Sequence, residues 1–441
     1  MRPTPVRRRL GVAALIVATL AIALLAALRL DTARLTANTD SVALRIGVVL
    51  VLVFLVLLIT RYVVLLWLGY LHHIEARREI PVSTFAPPLT IIVPAFDEAE
   101  VIEAALQSLL ELDYPEYEIL VVDDGSTDAT CEIASRAEGR RGSVEVRVVR
   151  QANRGKAAAL NTGLAMARHD FVVCVDGDSR LEPDALTAAM RHFADPHVGA
   201  VAGNVKVVNR NNLWTRLQAL EYIEGLNLAR RAQGLLRVVN IIPGPVGIFR
   251  RDALARVGGY ATDTFAEDAD VTLELMTAGW HIVYEDRAVA WTEAPERLVE
   301  LIKQRYRWTR GILQALRKRG SWLTTPARGR IVWVSLCAML FEATCWPVVS
   351  VLGNTVFVIA ALEAGAASGI FYWWLLLMML DVAAALHTVA MEGEDLRLVP
   401  YAIPYRFVFI VFIDVAKLFA TVEELARVRM TWGKLARAGR L

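Results

Sequence analysis

The chain carries long apolar runs near its two ends and a mixed polar stretch between them. The runs long enough to cross a bilayer are, in chain order, Leu10–Leu28, about 43–70, Ala343–Leu362, about 369–390 and about 401–421. The last run is the weakest, because Arg406, Asp414 and Lys417 interrupt it. The pattern predicts an anchor of two transmembrane helices before the polar stretch and two to three transmembrane helices after it.

Basic residues give the expected orientation of these spans. Arg2, Arg7, Arg8 and Arg9 precede the first run, and Arg77-Arg78 follows the second, which places the N-terminus and the polar stretch in the cytoplasm. A cleaved signal peptide is the alternative for the first run. Three further spans would put the C-terminus outside, whereas its basic tail favours the inside. One C-terminal element is therefore expected to lie along the interface, as Ile331–Glu342 is predicted to do.

Between about residues 81 and 328, short apolar strands alternate with helices. The predicted strands are Leu89–Pro94, Glu118–Val122, Val144–Val149 and Phe171–Val175; the predicted helices are Asp97–Leu112, Ala157–Ala167 and Ala269–Gly279. Such alternation is typical of a parallel sheet with helices on both faces. We therefore expect three units, with an anchor at 1–80, a cytoplasmic α/β domain at 81–328 and a membrane region at 329–441.

Composition narrows the functional class. Of the 441 residues, 55% are hydrophobic, which fits a mixed membrane and soluble protein, and the net charge of +2 gives no basic footprint for nucleic acid. The four cysteines form no CxxC pair, so we expect small buried residues rather than a zinc site or disulfides. Gly155-Lys156 lacks the first glycine of a P-loop, and Gly244–Gly247 is not a dinucleotide fingerprint.

Acidic pairs follow two of the predicted buried strands. Asp123-Asp124 follows the second strand, and Asp176-Gly-Asp178 follows the fourth. Ligands in α/β sheets bind at the carboxyl ends of the strands. Two carboxylates one residue apart can share a magnesium or manganese ion that also bridges a diphosphate. Each pair alone is equally consistent with a turn or a helix cap.

A second acidic pair and a later helix face add to this picture. Glu267-Asp268 opens a predicted helix, and Gln304, Arg307 and Trp308 have the i, i+3, i+4 spacing that puts them on one helix face. A guanidinium can grip a phosphate, and an indole can stack on a sugar ring. The alternatives are an interface-belt tryptophan and a basic face, formed with Arg305 and Arg310, that meets anionic lipid.

Together these motifs resemble the processive family 2 glycosyltransferases, which include cellulose, chitin, hyaluronan and poly-N-acetylglucosamine synthases. The resemblance covers about residues 85–320. It rests on Asp123-Asp124-Gly125, Asp176-Gly-Asp178, Glu267-Asp268 and Gln304-x-x-Arg307-Trp308, in that order. Four segments are most similar to the bacterial poly-β-1,6-N-acetylglucosamine synthase branch, namely Val93–Glu98, Asn153–Lys156, Ala202–Val205 and Lys303–Arg310.

The resemblance implies a GT-A (nucleotide-diphospho-sugar transferase) α/β domain inserted between transmembrane helices. It implies a UDP-sugar donor, with UDP-N-acetylglucosamine as the first expectation, and a growing polysaccharide as the acceptor. It also implies Mg²⁺ or Mn²⁺ as the cofactor. The implied setting is the lipid bilayer of a bacterial inner membrane, with a cytoplasmic catalytic domain and room for a small membrane partner subunit. Other polymers, a non-processive transfer to a lipid-linked acceptor, and an inactive scaffold or transporter stay open as alternatives.

It also implies a role for each matching position. Glu98 and Asp124, with Asp123 nearby, would hold the uridine, and Lys156 is a further donor-site residue. Asp176 and Asp178 would bind the sugar diphosphate and its metal, and Gln304 and Arg307 would hold the departing diphosphate. Asp268 would be the general base, with Glu267 beside it, and Trp308 would form the floor for the acceptor sugar. A base on the acceptor side and one displacement at the anomeric carbon would give a β linkage.

Overall fold

The computed structural model describes residues 42–76, 85–326, 329–364 and 369–428. The first predicted span, Leu10–Leu28, and most of the basic tail lie outside these ranges. The second predicted span lies within the helix α1, Val42–Ala76.

One sheet forms the centre of the described polar region. Its nine strands are β1 Leu89–Ala95, β2 Tyr117–Asp123, β3 Gly139–Arg141, β4 Val144–Arg150, β5 Phe171–Cys174, β6 Ser179–Leu181, β7 Val198–Val207, β8 Gly247–Arg250 and β9 His281–Thr292. Their spatial order is β3-β4-β2-β1-β5-β8-β7-β9-β6. Every residue of β1 and β2 is buried, as the apolar runs predict for strands covered on both faces.

The sheet is mixed rather than wholly parallel, which corrects the expectation from sequence. Strands β4, β2, β1 and β5 are parallel to one another, but β8 runs antiparallel to both β5 and β7. The parallel half of the sheet, β4, β2, β1 and β5, is the part that the alternating strand and helix pattern predicts. Beyond β5 the chain reverses through β8, and apolar runs carry no information on strand direction.

The helices of the polar region surround this sheet. They are α2 Ile102–Leu110, α3 Thr130–Arg136, α4 Lys156–Met166, α5 Ala185–Met190, α6 Leu213–Glu221, α7 Leu228–Leu235, α8 Arg251–Arg256, α9 Glu267–Thr277, α10 Leu298–Lys318 and α11 Gly320–Leu323. A π-helical segment, Tyr222–Asn227, joins α6 to α7. Predicted and observed ends agree within a few residues for α4 and α9.

Helix α2 begins five residues later than predicted. The acidic residue expected to open it, Asp97, has φ +49° and lies in a turn. Its carboxylate accepts hydrogen bonds from the backbone N–H groups of Thr127 (2.7 Å) and Asp128 (3.3 Å). The side chain therefore joins two loops at the carboxyl ends of β1 and β2 instead of capping the helix. Aspartate side chains often bind backbone N–H groups in this way outside helices.

The C-terminal region is helical, with α12 Arg330–Ala343, α13 Cys345–Ala364, α14 Gly369–Met391, α15 Ala402–Pro404 and α16 Ile410–Leu425. Among the described residues, one continuous helical stretch, Leu396–Leu425, is long and apolar enough to cross a membrane. The pair Arg330–Ala343 and Cys345–Thr355, bent by 42°, passes the same criterion together. The bend lies at Thr344, next to the predicted boundary between an interfacial helix and a span.

The predicted run with the most charges thus lies in the continuous helical stretch that meets the criterion among the described residues. Its interrupting charges have partners inside the protein. Arg406 makes a two-pronged ion pair with Asp381 of α14, at 2.6 and 2.5 Å, and both residues are buried. Lys417 lies 3.8 Å from Asp414 one turn earlier. Pairing lowers the cost of placing charges in apolar surroundings.

The cysteines are free, as expected, but Cys174 is the only one that is buried. Cys131 and Cys337 are half-buried, and Cys345 is exposed. The expectation of four buried cysteines is therefore wrong for three of them.

Candidate active site

The carboxyl ends of β1, β2 and β5 meet at one edge of the sheet, because the three strands are parallel neighbours. A pocket opens beside this edge, next to the start of α9. It is lined by Lys156, Leu160, Cys174, Asp176, Ile242, Pro243, Gly244, Gly247, Phe249, Tyr260, Glu267 and Asp268. Four of the predicted site residues, Lys156, Asp176, Glu267 and Asp268, thus share a single pocket.

Four charged residues, Lys156, Asp176, Glu267 and Asp268, form a charged wall of the pocket, and Lys156 lies at its centre. Its ammonium Nζ lies 2.6 Å from Asp176 Oδ1 and 3.0 Å from Glu267 Oε1. Burial alone would lower the pKa of Lys156, but these two carboxylates outweigh it and raise the pKa well above its ordinary value. A lysine that seemed a minor candidate in sequence therefore joins the two acidic motifs.

A glycine makes room for this ion pair. A Cβ at Gly244 would lie 2.7 Å from Asp176 Oδ2 and 2.9 Å from Lys156 Nζ, closer than real Cβ contacts come. Any side chain at this position would displace the charged wall. The segment Gly244–Gly247, which matched no nucleotide-binding pattern, is thus part of the pocket.

The adjacent carboxylates Glu267 and Asp268 have pKa values shifted in opposite directions. Burial would raise the pKa of Glu267, but Lys156 and more weakly Arg307 outweigh it, and the pKa is lowered. Burial and the negative charge of Glu267 raise the pKa of Asp268 to about 6, although Lys156 opposes them. Asp268 Oδ1 also accepts a hydrogen bond from Ala269 N at 2.7 Å. Because the two pKa values move apart, Glu267 stays ionised near neutral pH while Asp268 can exchange a proton.

Asp176 and Asp178 differ in what surrounds them. Burial and the charge of Asp178 raise the pKa of Asp176 even though Lys156 is bonded to it. Asp178 is only 4% exposed, and Ser179 Oγ lies 3.3 Å from its Oδ1. Three carboxylates of the pocket lining, Asp176, Glu267 and Asp268, share the one ammonium of Lys156, so the ionised pocket carries excess negative charge.

This excess charge suits a divalent cation. Within the described residues, no group of three or more His, Cys, Asp or Glu is arranged to hold a metal by itself. Magnesium commonly binds through one or two carboxylates together with substrate phosphates, so Asp176 and Asp178 with a diphosphate would complete such a site.

The predicted uridine residues lie at the ends of β1 and β2. The carboxylate of Asp124 accepts hydrogen bonds from Gln151 Nε2 (2.6 Å), Arg154 N (3.0 Å) and Gly155 N (2.7 Å), so it fixes the loop that leads to Lys156. Asp123 is fully buried, with Arg150 Nε 3.2 Å from its Oδ2.

Glu98 lies close to the second acidic motif. A Cβ built on Gly177, between Asp176 and Asp178, would lie 3.6 Å from Glu98 Cγ. The structure thus brings Glu98 beside the Asp176–Asp178 turn, while Asp123 and Asp124 sit one strand farther along the same edge.

Helix α10 carries Gln304, Arg307 and Trp308, as the spacing predicts. It packs closely on the segment that leads into α9, since a Cβ at Gly311 would lie 2.4 Å from Ala266 Cβ. This contact brings the helix next to Glu267, and the charge of Arg307 is one of the causes that lower the pKa of Glu267. Trp308 is half-buried and packs against the main core.

Sequence reasoning missed the surroundings of Arg305. The sequence allows a solvated basic face of Arg305, Arg307 and Arg310, but Arg305 and Arg310 are buried and ion-paired with Glu221 and Glu424. The glutamates lie far away in the chain, on α6 and α16. A buried arginine and a solvated one look alike in sequence when the partner is distant.

Comparison with known proteins agrees with this geometry. Residues 87–311 match the family model described as "Glycosyltransferase like family 2". Among curated relatives, the poly-beta-1,6-N-acetyl-D-glucosamine synthase of Staphylococcus aureus (strain COL) is 36% identical over 224 residues, which are 51% of this chain and 54% of the relative. The synthase of the same name from Staphylococcus epidermidis is 34% identical over 255 residues, 58% of this chain and 60% of the relative. The match thus spans little more than half the length of these relatives.

A solved structure supports the fold. The mannosyltransferase PcManGT from Pyrobaculum calidifontis, in complex with GDP-Man and Mn²⁺, aligns with a TM-score of 0.60 and 25% identity over 86% of this chain and 100% of that chain. The mixed α/β sheet therefore has a GT-A-like arrangement, and the resemblance inferred from the motifs is confirmed. Because the family model covers half of the chain, the protein belongs to the family 2-like glycosyltransferases and is a glycosyltransferase.

Proposed function

We propose that the protein is an inverting β-glycosyltransferase that adds sugars processively from UDP-N-acetylglucosamine to a growing extracellular polysaccharide. The observation that carries the proposal is the pair Glu267 and Asp268, whose pKa values diverge within one pocket. A base that works near neutral pH needs a pKa close to that pH, and Asp268 has one while its neighbour stays ionised.

In the proposed reaction, Asp268 takes the proton from the acceptor hydroxyl as that oxygen attacks the anomeric carbon of the donor. The bond from this carbon to the diphosphate oxygen breaks, and UDP leaves with the electron pair. One displacement inverts the α-configured donor and gives a β linkage. A positioned base contributes roughly 10²–10⁴-fold to such a step.

The leaving diphosphate gathers negative charge, which three residues would meet. Lys156 already bridges Asp176 and Glu267, and Arg307 lies within electrostatic reach of Glu267. We assign Lys156, Arg307 and Gln304 to the diphosphate. A divalent cation held by Asp176 and Asp178 would supply further positive charge to the same phosphates. Preorganised charge of this kind stabilises the transition state more than the ground state.

The remaining predicted residues are assigned to the uridine and to the acceptor sugar. Glu98 and Asp124, with Asp123 nearby, would hold the uridine, and Asp124 would also fix the loop from Gln151 to Gly155 that it binds. Trp308 would form the floor under the acceptor sugar, on the helix that packs against the start of α9. Donor and acceptor would thus meet at Asp268 from opposite sides.

The polymer would leave through the protein's own membrane segments, with the catalytic domain, residues 81–328, in the cytoplasm of a bacterium and the flanking regions in the inner membrane. The helical stretch Leu396–Leu425 and the bent pair beginning at Arg330 support membrane insertion. The names of the relatives from two staphylococcal species support an exopolysaccharide product.

The test is UDP release by the purified, detergent-solubilised full chain with Mn²⁺ or Mg²⁺, across a panel of UDP-sugars and GDP-mannose. We expect turnover with UDP-N-acetylglucosamine and a product cut by a β-1,6-specific hexosaminidase. Turnover with another nucleotide sugar would retain the mechanism and change the polymer, as a cellulose, hyaluronan or chitin type of synthase requires. A product of one added sugar on a lipid carrier would replace the processive assignment.

A further inference from the structure

The guanidinium of Arg305 is the most heavily engaged charged group on helix α10. Its side chain is 3% exposed, and Nε lies 3.1 Å from Glu221 Oε1, with Nη2 bonded to the second carboxylate oxygen. Nη1 donates to Gln304 Oε1 at 2.5 Å. The guanidinium carbon Cζ lies over the Trp308 ring, 4.2 Å from the ring centroid. One buried side chain thus contacts two residues predicted to handle the substrates.

These contacts restrict both neighbours. The amide of Gln304 can turn about its last bond unless a partner fixes it, and the indole of Trp308 has one face covered by the cation. Arginine suits this position because its planar fork binds a carboxylate through two nitrogens and stacks on an aromatic face at the same time. A sugar can therefore reach only the opposite face or the edges of Trp308.

Glu221 is itself rigidly placed. It is the last residue of α6, whose first turn is closed by a capping box between Asn212 and Thr215. The helix is tied to the chain just before α10, since Gln218 Nε2 donates to Pro295 O at 2.7 Å and Asn212 Nδ2 to Glu296 O at 3.2 Å. The carboxylate of Glu221 therefore holds Arg305 from a fixed support rather than from a mobile loop.

We propose that the ion pair between Glu221 and the buried Arg305 positions the acceptor platform, the Trp308 indole, and fixes the neighbouring Gln304 amide. Both members are positioning residues, since they act through Gln304 and Trp308. The significance for acceptor binding rests on the proposed function, whereas the effect on the conformation of Trp308 does not. Misplacement of a substrate-orienting group by about 1 Å can cost 10²-fold in rate.

The chain contains a matched control on the same helix. Arg310 is buried like Arg305, with a side chain 4% exposed, and its Nε lies 3.0 Å from Glu424 of α16, whose side chain is 8% exposed. Neither residue has a described contact with Gln304 or Trp308. Glu221→Gln and Glu424→Gln each remove the carboxylate charge that pairs with one buried arginine of α10, and only the first should disturb the platform.

The first measurement does not need activity. The full chain is labelled with fluorotryptophan, and the ¹⁹F resonance of Trp308 is assigned among the 11 tryptophans by its loss in Trp308→Phe. We expect Glu221→Gln to shift or broaden this resonance, and Glu424→Gln to leave it in place. Arg305→Lys keeps the positive charge but loses the planar guanidinium, and it should reproduce the shift. This variant replaces Glu221→Gln in the experiment if Glu221→Gln does not fold. An unmoved resonance in both variants, or an equal shift in Glu424→Gln, would overturn the proposal.

The second measurement is kinetic. With a soluble β-linked oligosaccharide as acceptor, we expect Glu221→Gln to raise the acceptor KM by about tenfold to 100-fold. The affinity for UDP should fall by less than the acceptor KM rises, because Lys156 and Arg307 still meet the diphosphate when Gln304 is released. Glu221→Asp should recover most of the loss because it restores the carboxylate. An equal fall in UDP affinity and acceptor use would indicate a merely structural ion pair. If the wild type transfers no sugar while the ¹⁹F shift is seen, the proposed function fails and the positioning of Trp308 stands.

Discussion

The carboxylate pocket and helix α10 both carry charged residues, but they hold them in opposite ways. In the pocket, Asp176, Glu267 and Asp268 surround the single ammonium of Lys156, and the negative charge exceeds the positive. On α10, Arg305 and Arg310 each have a glutamate partner and are buried. Unbalanced charge shifts pKa values and favours reactivity, whereas balanced ion pairs fix geometry.

This contrast explains how one site can be reactive and rigid at once. The pKa of Asp268 is raised to about 6, mainly by burial and by Glu267. The helix that faces it is held at its far end as well, where Arg319 Nη1 lies 2.8 Å from Asp270 of α9. The base is therefore free to exchange a proton while its distance from the helix is set by packing and by ion pairs.

The largest effect is expected from removing the base. Asp268→Asn keeps the shape of the side chain and removes its ability to accept a proton. Sugar transfer should fall roughly 10²–10⁴-fold, while UDP affinity by calorimetry stays within about threefold, since the base acts on the acceptor. A parallel loss of UDP affinity would move Asp268 from the acceptor side of the reaction to the donor side.

The next effect is expected on the rigid side of the comparison. Trp308→Ala removes the floor under the acceptor, so elongation measured by product length should fall about tenfold more than hydrolysis of the donor in the absence of acceptor. Trp308→Phe keeps a ring and should retain most of the elongation. Equal losses in both reactions for Trp308→Ala would give the tryptophan a structural role instead.

A smaller effect concerns the pH profile. Because Asp268 must be ionised to accept a proton, kcat/KM should decline as the pH falls below about 6. The charge of Glu267 is one cause of the raised pKa, so Glu267→Gln should lower the pKa of Asp268 and move this decline to lower pH. Glu274→Gln, on the exposed side of the same helix, is the control and should leave the profile unchanged. A shift to higher pH in Glu267→Gln would contradict the assignment of the cause.

The smallest effect concerns stability. A carboxyl whose folded pKa is raised from 3.8 to about 6 binds its proton more tightly in the folded state. Wild-type stability therefore falls as the pH rises through this window, because the unfolded state binds fewer protons there than the native state. Asp268→Asn avoids that loss, so its Tm should exceed that of the wild type at pH 8 and approach it near pH 4. A lower Tm at pH 8 would mean that the charge of Asp268 is stabilising.

The strands and the acidic motifs could be predicted because their signals are local. β1, β2 and β5 are rich in apolar residues. Asp123 is the last residue of β2, Asp124 follows it, and Asp176 and Asp178 come soon after β5. The same holds for the face of α10, which depends only on helical spacing. Sequence also predicted that Glu267-Asp268 opens a helix.

The features that were missed depend on residues distant in the chain. Arg305 and Glu221 are 84 residues apart, so nothing near Arg305 distinguishes a buried guanidinium from a solvated one. Gly244 touches Lys156 and Asp176 only because β8 returns antiparallel beside β5. Opposite pKa shifts in adjacent carboxylates likewise need the position of Lys156, which packing decides.

The most direct test of a single displacement driven by Asp268 is the anomeric configuration of the first linkage formed. Purified full chain is given a UDP-α-sugar and a short acceptor, and the new anomeric proton is observed by NMR before the product can equilibrate. The expected result is a β linkage from wild type and roughly 10²–10⁴-fold slower formation of that linkage by Asp268→Asn. An α linkage would contradict the account, since it requires either a double displacement or attack from the face of the departing diphosphate.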